Sequence, residues 1–200
     1  MANEIFLDKL TPRERIVATA MRLFNKGGAH TTGIDQIIAE SGVAKRTFYH
    51  HFPSKAALLA EFFRLRDDIW YDRLVRHTSD QTKPPLERLL GLFDGLKEWV
   101  AEQEFFGCPF IRGLSDFGPD SHSPELAACV RAHFARTEEV LVALLKPVRP
   151  DDYQAFLPHL WSLLAGATII AQATGNPGIA DVNKEMARTF LAPKAVSRIN

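Results

Sequence analysis

Gly42 stands between two short stretches of helical apolar spacing, and this arrangement constrains the chain more than any other feature. Ile34, Ile37 and Ile38 recur at i, i+3 and i+4, which puts them on one face of a helix. Thr32 ahead of them, with Asp35 three residues on, resembles a capping box with Asp in place of the usual Glu. Gly42 follows the last helical residues, at the point where a left-handed residue ends a helix without a Cβ penalty. Val43 supplies the apolar closure of that cap. A second, shorter helix comes next. Pro53 disfavours helical geometry at Phe52, so the helix ends near His51 or Phe52. Phe48 and Phe52, four residues apart, anchor one face in a core.

The remaining positions of the second helix, Lys45, Arg46, Thr47, Tyr49, His50 and His51, are left for solvent or a ligand. Their composition suits duplex DNA. Arginine and lysine read guanine edges or neutralise phosphates. Thr47 and Tyr49 carry hydroxyls that donate to phosphate oxygens. Ser54 caps a further helix that opens on Lys55, and a helix N-terminus bearing a lysine fits a phosphate. A helical hairpin with a solvated polar face is the competing reading; the basic and aromatic second helix and the Ser54–Lys55 pair weigh against it.

A longer pattern surrounds these residues. A first helix carries Ile16, Ala20, Leu23 and Phe24 on one face, followed by Gly27-Gly28, Thr31-Thr32 and Ile37-Ile38-Ala39. Then come Ser41-Gly42-Val43, Lys45, the run Thr47-Phe48-Tyr49-His50-His51-Phe52, and Ser54-Lys55. On these residues, positions 11–60 resemble the DNA-binding domain of the TetR family of transcriptional regulators. One departure is Ala44, where the family often has a serine at the N-cap of the recognition helix. Loss of a cap costs about 1 kcal/mol.

The resemblance implies an all-α, nine-helix TetR-like architecture. Residues 1–54 would form a three-helix DNA-binding domain, with the helix-turn-helix at about 33–52, and residues 55–200 a ligand-binding and dimerisation bundle. The expected DNA contacts are Thr32, Lys45, Arg46, Thr47, Tyr49, His50, His51 and Lys55. Family behaviour further implies a dimeric, cytoplasmic repressor on a palindromic double-stranded operator, released by a small-molecule effector.

Charge and cysteine content agree with this without requiring it. The chain has no net charge, yet residues 1–66 hold ten Lys and Arg against six Asp and Glu, while the remainder holds fourteen against eighteen. Two cysteines without a CxxC spacing fit a reducing compartment. The first ten residues contain no long apolar run, so no signal peptide is expected.

Proline and glycine punctuation divides the rest into helices. The fourth runs from residue 55 to about 77, and Pro84-Pro85 opens a fifth with Leu86, Leu89, Leu90, Phe93, Leu96 and Val100 on its apolar face. Gly107-Cys108-Pro109 starts a short sixth, stopped by Gly118-Pro119. Ser123-Pro124-Glu125 opens a seventh that reaches Lys146. The eighth spans about 151–175 and the ninth about 179–191. Residues 153–180 carry no Asp, Glu, Lys or Arg over 28 positions. Polar residues and Pro158 interrupt that run, which favours a helix buried on most sides over a membrane span.

Within it, Ser162, Gly166, Ile169 and Ala173 lie at i, i+4, i+7 and i+11, small enough for close helix approach. The resemblance makes this a dimer interface; packing inside one subunit is the alternative. An effector cavity is expected among Trp70, Phe93, Trp99, Phe106, Phe110, Leu114, Phe117, Phe134 and Trp161, which point to a hydrophobic or aromatic molecule; each is also a fair core residue. Cys108, near a helix N-terminus where thiol pKa values fall, offers a redox- or electrophile-sensing alternative. The histidines, His30, His50, His51, His77, His122, His133 and His159, show no metal spacing, and no cofactor is expected. An all-α enzyme is disfavoured because no nucleophile–base constellation or phosphate loop stands out. A helical protein-binding adaptor remains the other non-enzymatic alternative.

Overall fold

The computed structural model describes residues 9–117 and 123–192. Gly118-Pro119, expected to stop the sixth helix, and His122 lie outside these residues. Among the described residues there are nine helices and no strand: α1 (Pro12–Gly27), α2 (Ile34–Ser41), α3 (Lys45–His51), α4 (Lys55–Thr78), α5 (Pro85–Val100), α6 (Pro109–Asp116), α7 (Pro124–Leu145), α8 (Tyr153–Thr174) and α9 (Ile179–Leu191). The all-α, nine-helix expectation holds.

The chain divides into two compact units: Met1–Ile69 with Cys108–Phe134, and Trp70–Gly107 with Ala135–Asn200. The division falls inside α4 and α7. The reason is packing. In the first unit, Ile16 and Phe24 of α1, Ile37 of α2 and Phe48 of α3 share one buried cluster with Leu58, Phe62 and Phe63 of α4, Phe110 of α6 and Val130 of α7. Phe24 meets Phe62 edge to face at 5.5 Å between ring centroids, and Phe63 meets Phe117 at 5.9 Å. Three short helices cannot cover their own large side chains, so the later helices complete the core.

Caps fix the first unit locally. Thr11 and Glu14 form a capping box at α1: the Thr11 N–H donates to Glu14 Oε2 at 2.8 Å, and Thr11 Oγ1 accepts from the Glu14 N–H at 3.4 Å. Ser54 Oγ accepts from the Ala57 N–H at 3.1 Å and so caps α4, as its sequence predicts.

The second unit is built on α5, whose Leu89, Leu90, Leu92, Phe93 and Leu96 are fully buried. A Cβ on Gly91 would stand 2.1 Å from the His77 carbonyl oxygen, so only glycine permits this approach of α5 to α4. Ion pairs join α5 to α9: Lys184 Nζ to Asp94 at 2.6 Å, Lys97 Nζ to Asp181 at 2.7 Å, and Arg188 to Glu87.

The expectation that the charge-free helix is buried on most sides is corrected. Leu160, Leu164, Ala167, Thr168 and Ala171 form a single buried stripe on α8, while Ile169 and Ile170 are 50% and 46% exposed. By length and composition α8 is long and apolar enough to cross a membrane. Hydropathy measures how apolar a helix is, not how many neighbours it has.

Candidate nucleic-acid interface

The α2–turn–α3 segment is held from below and open above. Ile37 and Phe48 are wholly buried, and Ser41, Val43 and Phe52 nearly so. Gly42 adopts the left-handed conformation, φ 63° and ψ 28°, that ends α2 and turns the chain into α3. Ala44 is the N-cap of α3 and makes no side-chain cap hydrogen bond, the consequence expected from the absent serine.

With Phe48 pinned inward, the helical repeat places Lys45, Arg46, Tyr49 and His50 on the exposed side, Thr47 and His51 half-buried at its margins. Arg46 is exposed and makes no ion pair among the described residues. Lys45 Nζ lies 3.5 Å from Asp35, but both are strongly exposed, so the pair holds the lysine only weakly. The His50 and His51 rings meet at 5.1 Å. Lys55 is half-buried at the first turn of α4, and that burial pushes its pKa below the ordinary lysine value. The segment therefore presents cations, a phenol and imidazoles on a short helix fixed by aromatic anchors. These groups are suited to reading base edges and holding phosphates.

Thr32 behaves otherwise than expected. Gly33, not Thr32, is the N-cap of α2, and no side-chain cap bond forms there. Thr32 is buried, and its hydroxyl donates to the carbonyls of Gly28 at 3.1 Å and Leu23 at 3.3 Å. The capping-box reading fails because two acceptors from the end of α1 claim the hydroxyl.

Residues 16–62, covering this segment and its supporting helices, match the family of bacterial regulatory proteins, tetR family. This segment is similar to the DNA-binding domain of the TetR family. Relatives agree. The helix-turn-helix-type regulator YxaF of Bacillus subtilis (strain 168) is 38% identical over 78 residues, 38% of this chain and 40% of the relative. A helix-turn-helix-type transcriptional regulator of Mycobacterium tuberculosis (strain ATCC 25618 / H37Rv) is 26% identical over 171 residues, 80% of this chain and 84% of that one. Among solved structures, a TetR-family transcriptional regulator of Streptomyces coelicolor shares the fold, with a TM-score of 0.82 at 23% identity over 90% of this chain and 94% of the other. The relatives named are transcriptional regulators, and the Streptomyces coelicolor structure shows that the fold is shared.

The residues expected to line an effector cavity fall in both units. Phe110, Leu114, Phe117 and Phe134 belong to the first unit, and Trp70, Phe93, Trp99, Phe106 and Trp161 to the second. Phe110 and Phe117 are core, and Leu114 is 51% exposed. Trp70 and Trp99 pack together at 5.4 Å, and Trp99 meets Phe105 at 5.0 Å. Cys108 is indeed the N-cap of α6, but burial pushes its thiol pKa up, more than the N–H groups of Ile111 and Phe110 pull it down. That removes the support for the sensing alternative. Among the described residues no cluster of three or more His, Cys, Asp or Glu could hold a metal ion.

Of the α8 residues expected at an interface, Ser162, Ile169 and Ala173 are exposed and Gly166 is half-buried. The sequence reading missed their companions on α9. Val182, Met186 and Thr189 follow the i, i+4, i+7 spacing that would have found them, and with Pro158, Ser162 and Phe190 they line a groove of about 1050 Å³.

Proposed function

We propose that this chain is a TetR-family transcriptional regulator that binds a near-palindromic double-stranded operator as a homodimer in the cytoplasm and represses transcription until a small hydrophobic or aromatic effector releases it. One observation carries the DNA reading: Lys45, Arg46, Tyr49 and His50 stand exposed on a helix whose opposite side, Phe48, is wholly buried. A seven-residue helix reads few base pairs, and two-fold symmetry doubles them. The expected DNA contacts are therefore Lys45, Arg46, Thr47, Tyr49, His50, His51 and Lys55.

The dimer reading rests on the α8–α9 groove. Val182 and Met186 are 55% and 53% exposed beside the open side of α8, and a second copy of the same apolar face would cover both. Lipid is the competing cover for α8; Asp181 and Glu185, which also line the groove, favour protein. The effector reading rests on the aromatic content of the second unit, Trp70, Phe93 and Trp99 foremost. An effector acts only if it binds the DNA-incompetent state more tightly.

Selection of tight-binding duplexes from a random pool tests the proposal. It is expected to return a two-fold symmetric sequence with half-sites about one helical turn apart or slightly more. Enrichment of single, asymmetric sites would refute the dimeric reading, and no enrichment by effector-free protein would refute operator recognition.

A further inference from the structure

The three arginines of α1 differ in what holds them. Arg13 Nη2 lies 2.8 Å from Glu61, and Arg22 pairs with Glu40. Among the described residues, Arg15 has neither an acidic partner nor, at its buried Nε, any hydrogen-bond partner. A buried donor on a permanent cation is costly to leave unsatisfied. Its location suggests why it is kept. Arg15 Nη1 lies 3.6 Å from where a Cβ on Gly42 would stand, so the guanidinium sits against the turn between α2 and α3. Gly42 has no side chain to cover it, and Gly42, Ala44, Lys45 and Arg46 beside it are all exposed. Glu14, its neighbour in the chain, is held by the α1 cap.

We infer that Arg15 is a DNA-backbone contact of this regulator, its terminal N–H groups donating to a phosphodiester oxygen at the edge of the groove that α3 enters. The inference rests on the DNA-binding reading above and adds to it a residue outside the helix-turn-helix. A backbone contact adds affinity and orientation and carries no sequence information. The guanidinium, forked and always charged, suits a phosphate better than an ammonium does.

The test is titration of the full-length protein against the selected operator and an unrelated duplex at several salt concentrations. Arg15→Met keeps the apolar stem and removes the charge. It is expected to weaken both duplexes by the same factor and to lower the slope of log affinity against log salt by about 0.9, one phosphate's worth. Arg15→Lys is expected to restore the slope. Thermal unfolding accompanies each titration, and Arg15→Gln substitutes for Arg15→Met if the latter fails to fold. An unchanged slope for a folded variant would overturn the inference. A lowered melting temperature with an unchanged slope would do so too, by assigning Arg15 to the C-terminal end of α2. If the wild type itself shows no salt-dependent binding, the DNA-binding reading fails instead.

Discussion

Phe48 and Tyr49, adjacent in sequence, meet edge to face with ring centroids 5.3 Å apart, the first wholly buried and the second 42% exposed. One residue fixes α3 and its neighbour is free to use that fixity. Phe48→Ala is expected to cost about 3–5 kcal/mol of stability and to abolish DNA binding with it. Tyr49→Phe removes only a hydroxyl at the surface. It is expected to leave the melting temperature unchanged while weakening duplex affinity. Thermal unfolding and duplex titration of the two variants separate these roles.

The turn ahead of α3 depends on the positive φ of Gly42. Gly42→Ala is expected to cost about 1–2 kcal/mol, the penalty of a left-handed non-glycine residue. Gly33 is extended, with open space around an added Cβ, so Gly33→Ala is expected to be nearly neutral. Urea denaturation of both variants checks the contrast; equal losses would contradict it.

Local signals were legible in the sequence and tertiary ones were not. Ser54, Pro85, Pro124 and Gly42 mark helix ends through their own backbone and side-chain chemistry, and the helices begin and end within about a residue of those marks. Thr32 carried a local signal as well, but its hydroxyl was claimed by carbonyls from the end of α1. Punctuation shows where a helix starts and not which faces share a core; Phe62 and Phe63 pack with Phe24 and Phe110, which lie far away in sequence. Cys108 shows the same division. Its place before α6 could be read from Pro109, whereas the burial that raises its pKa could not.

Covering the α8–α9 groove by a second copy makes Met186 an interface residue. Met186→Glu would bury a charge against its own symmetry mate, and is expected to give a monomer by sedimentation equilibrium. The monomer should retain helicity, since Met186 contributes little to the core of one subunit. Dimerisation unaffected by the substitution would place the interface elsewhere.

Glu61 links α1 to α4. Hydrogen bonds from Arg64 foremost, and then Arg13, lower its pKa to about 2. A carboxylate depressed in the folded state stabilises the fold above its unfolded value, about 4.3, and that contribution disappears as pH falls toward 2. Glu61→Gln is therefore expected to lower stability at neutral pH and to flatten the loss of stability between about pH 4.3 and 2 relative to wild type. Chemical denaturation across that range measures it, and parallel curves for the two proteins would contradict the assignment.

Reading of DNA sequence by the exposed side of α3 is tested by comparing wild type with Arg46→Ala on the selected operator and on an unrelated duplex. Wild type is expected to prefer its operator, and Arg46→Ala is expected to weaken the operator by about 1–3 kcal/mol more than the unrelated duplex, as loss of a base contact does. Equal weakening on both duplexes, or none on either, would contradict base readout by Arg46.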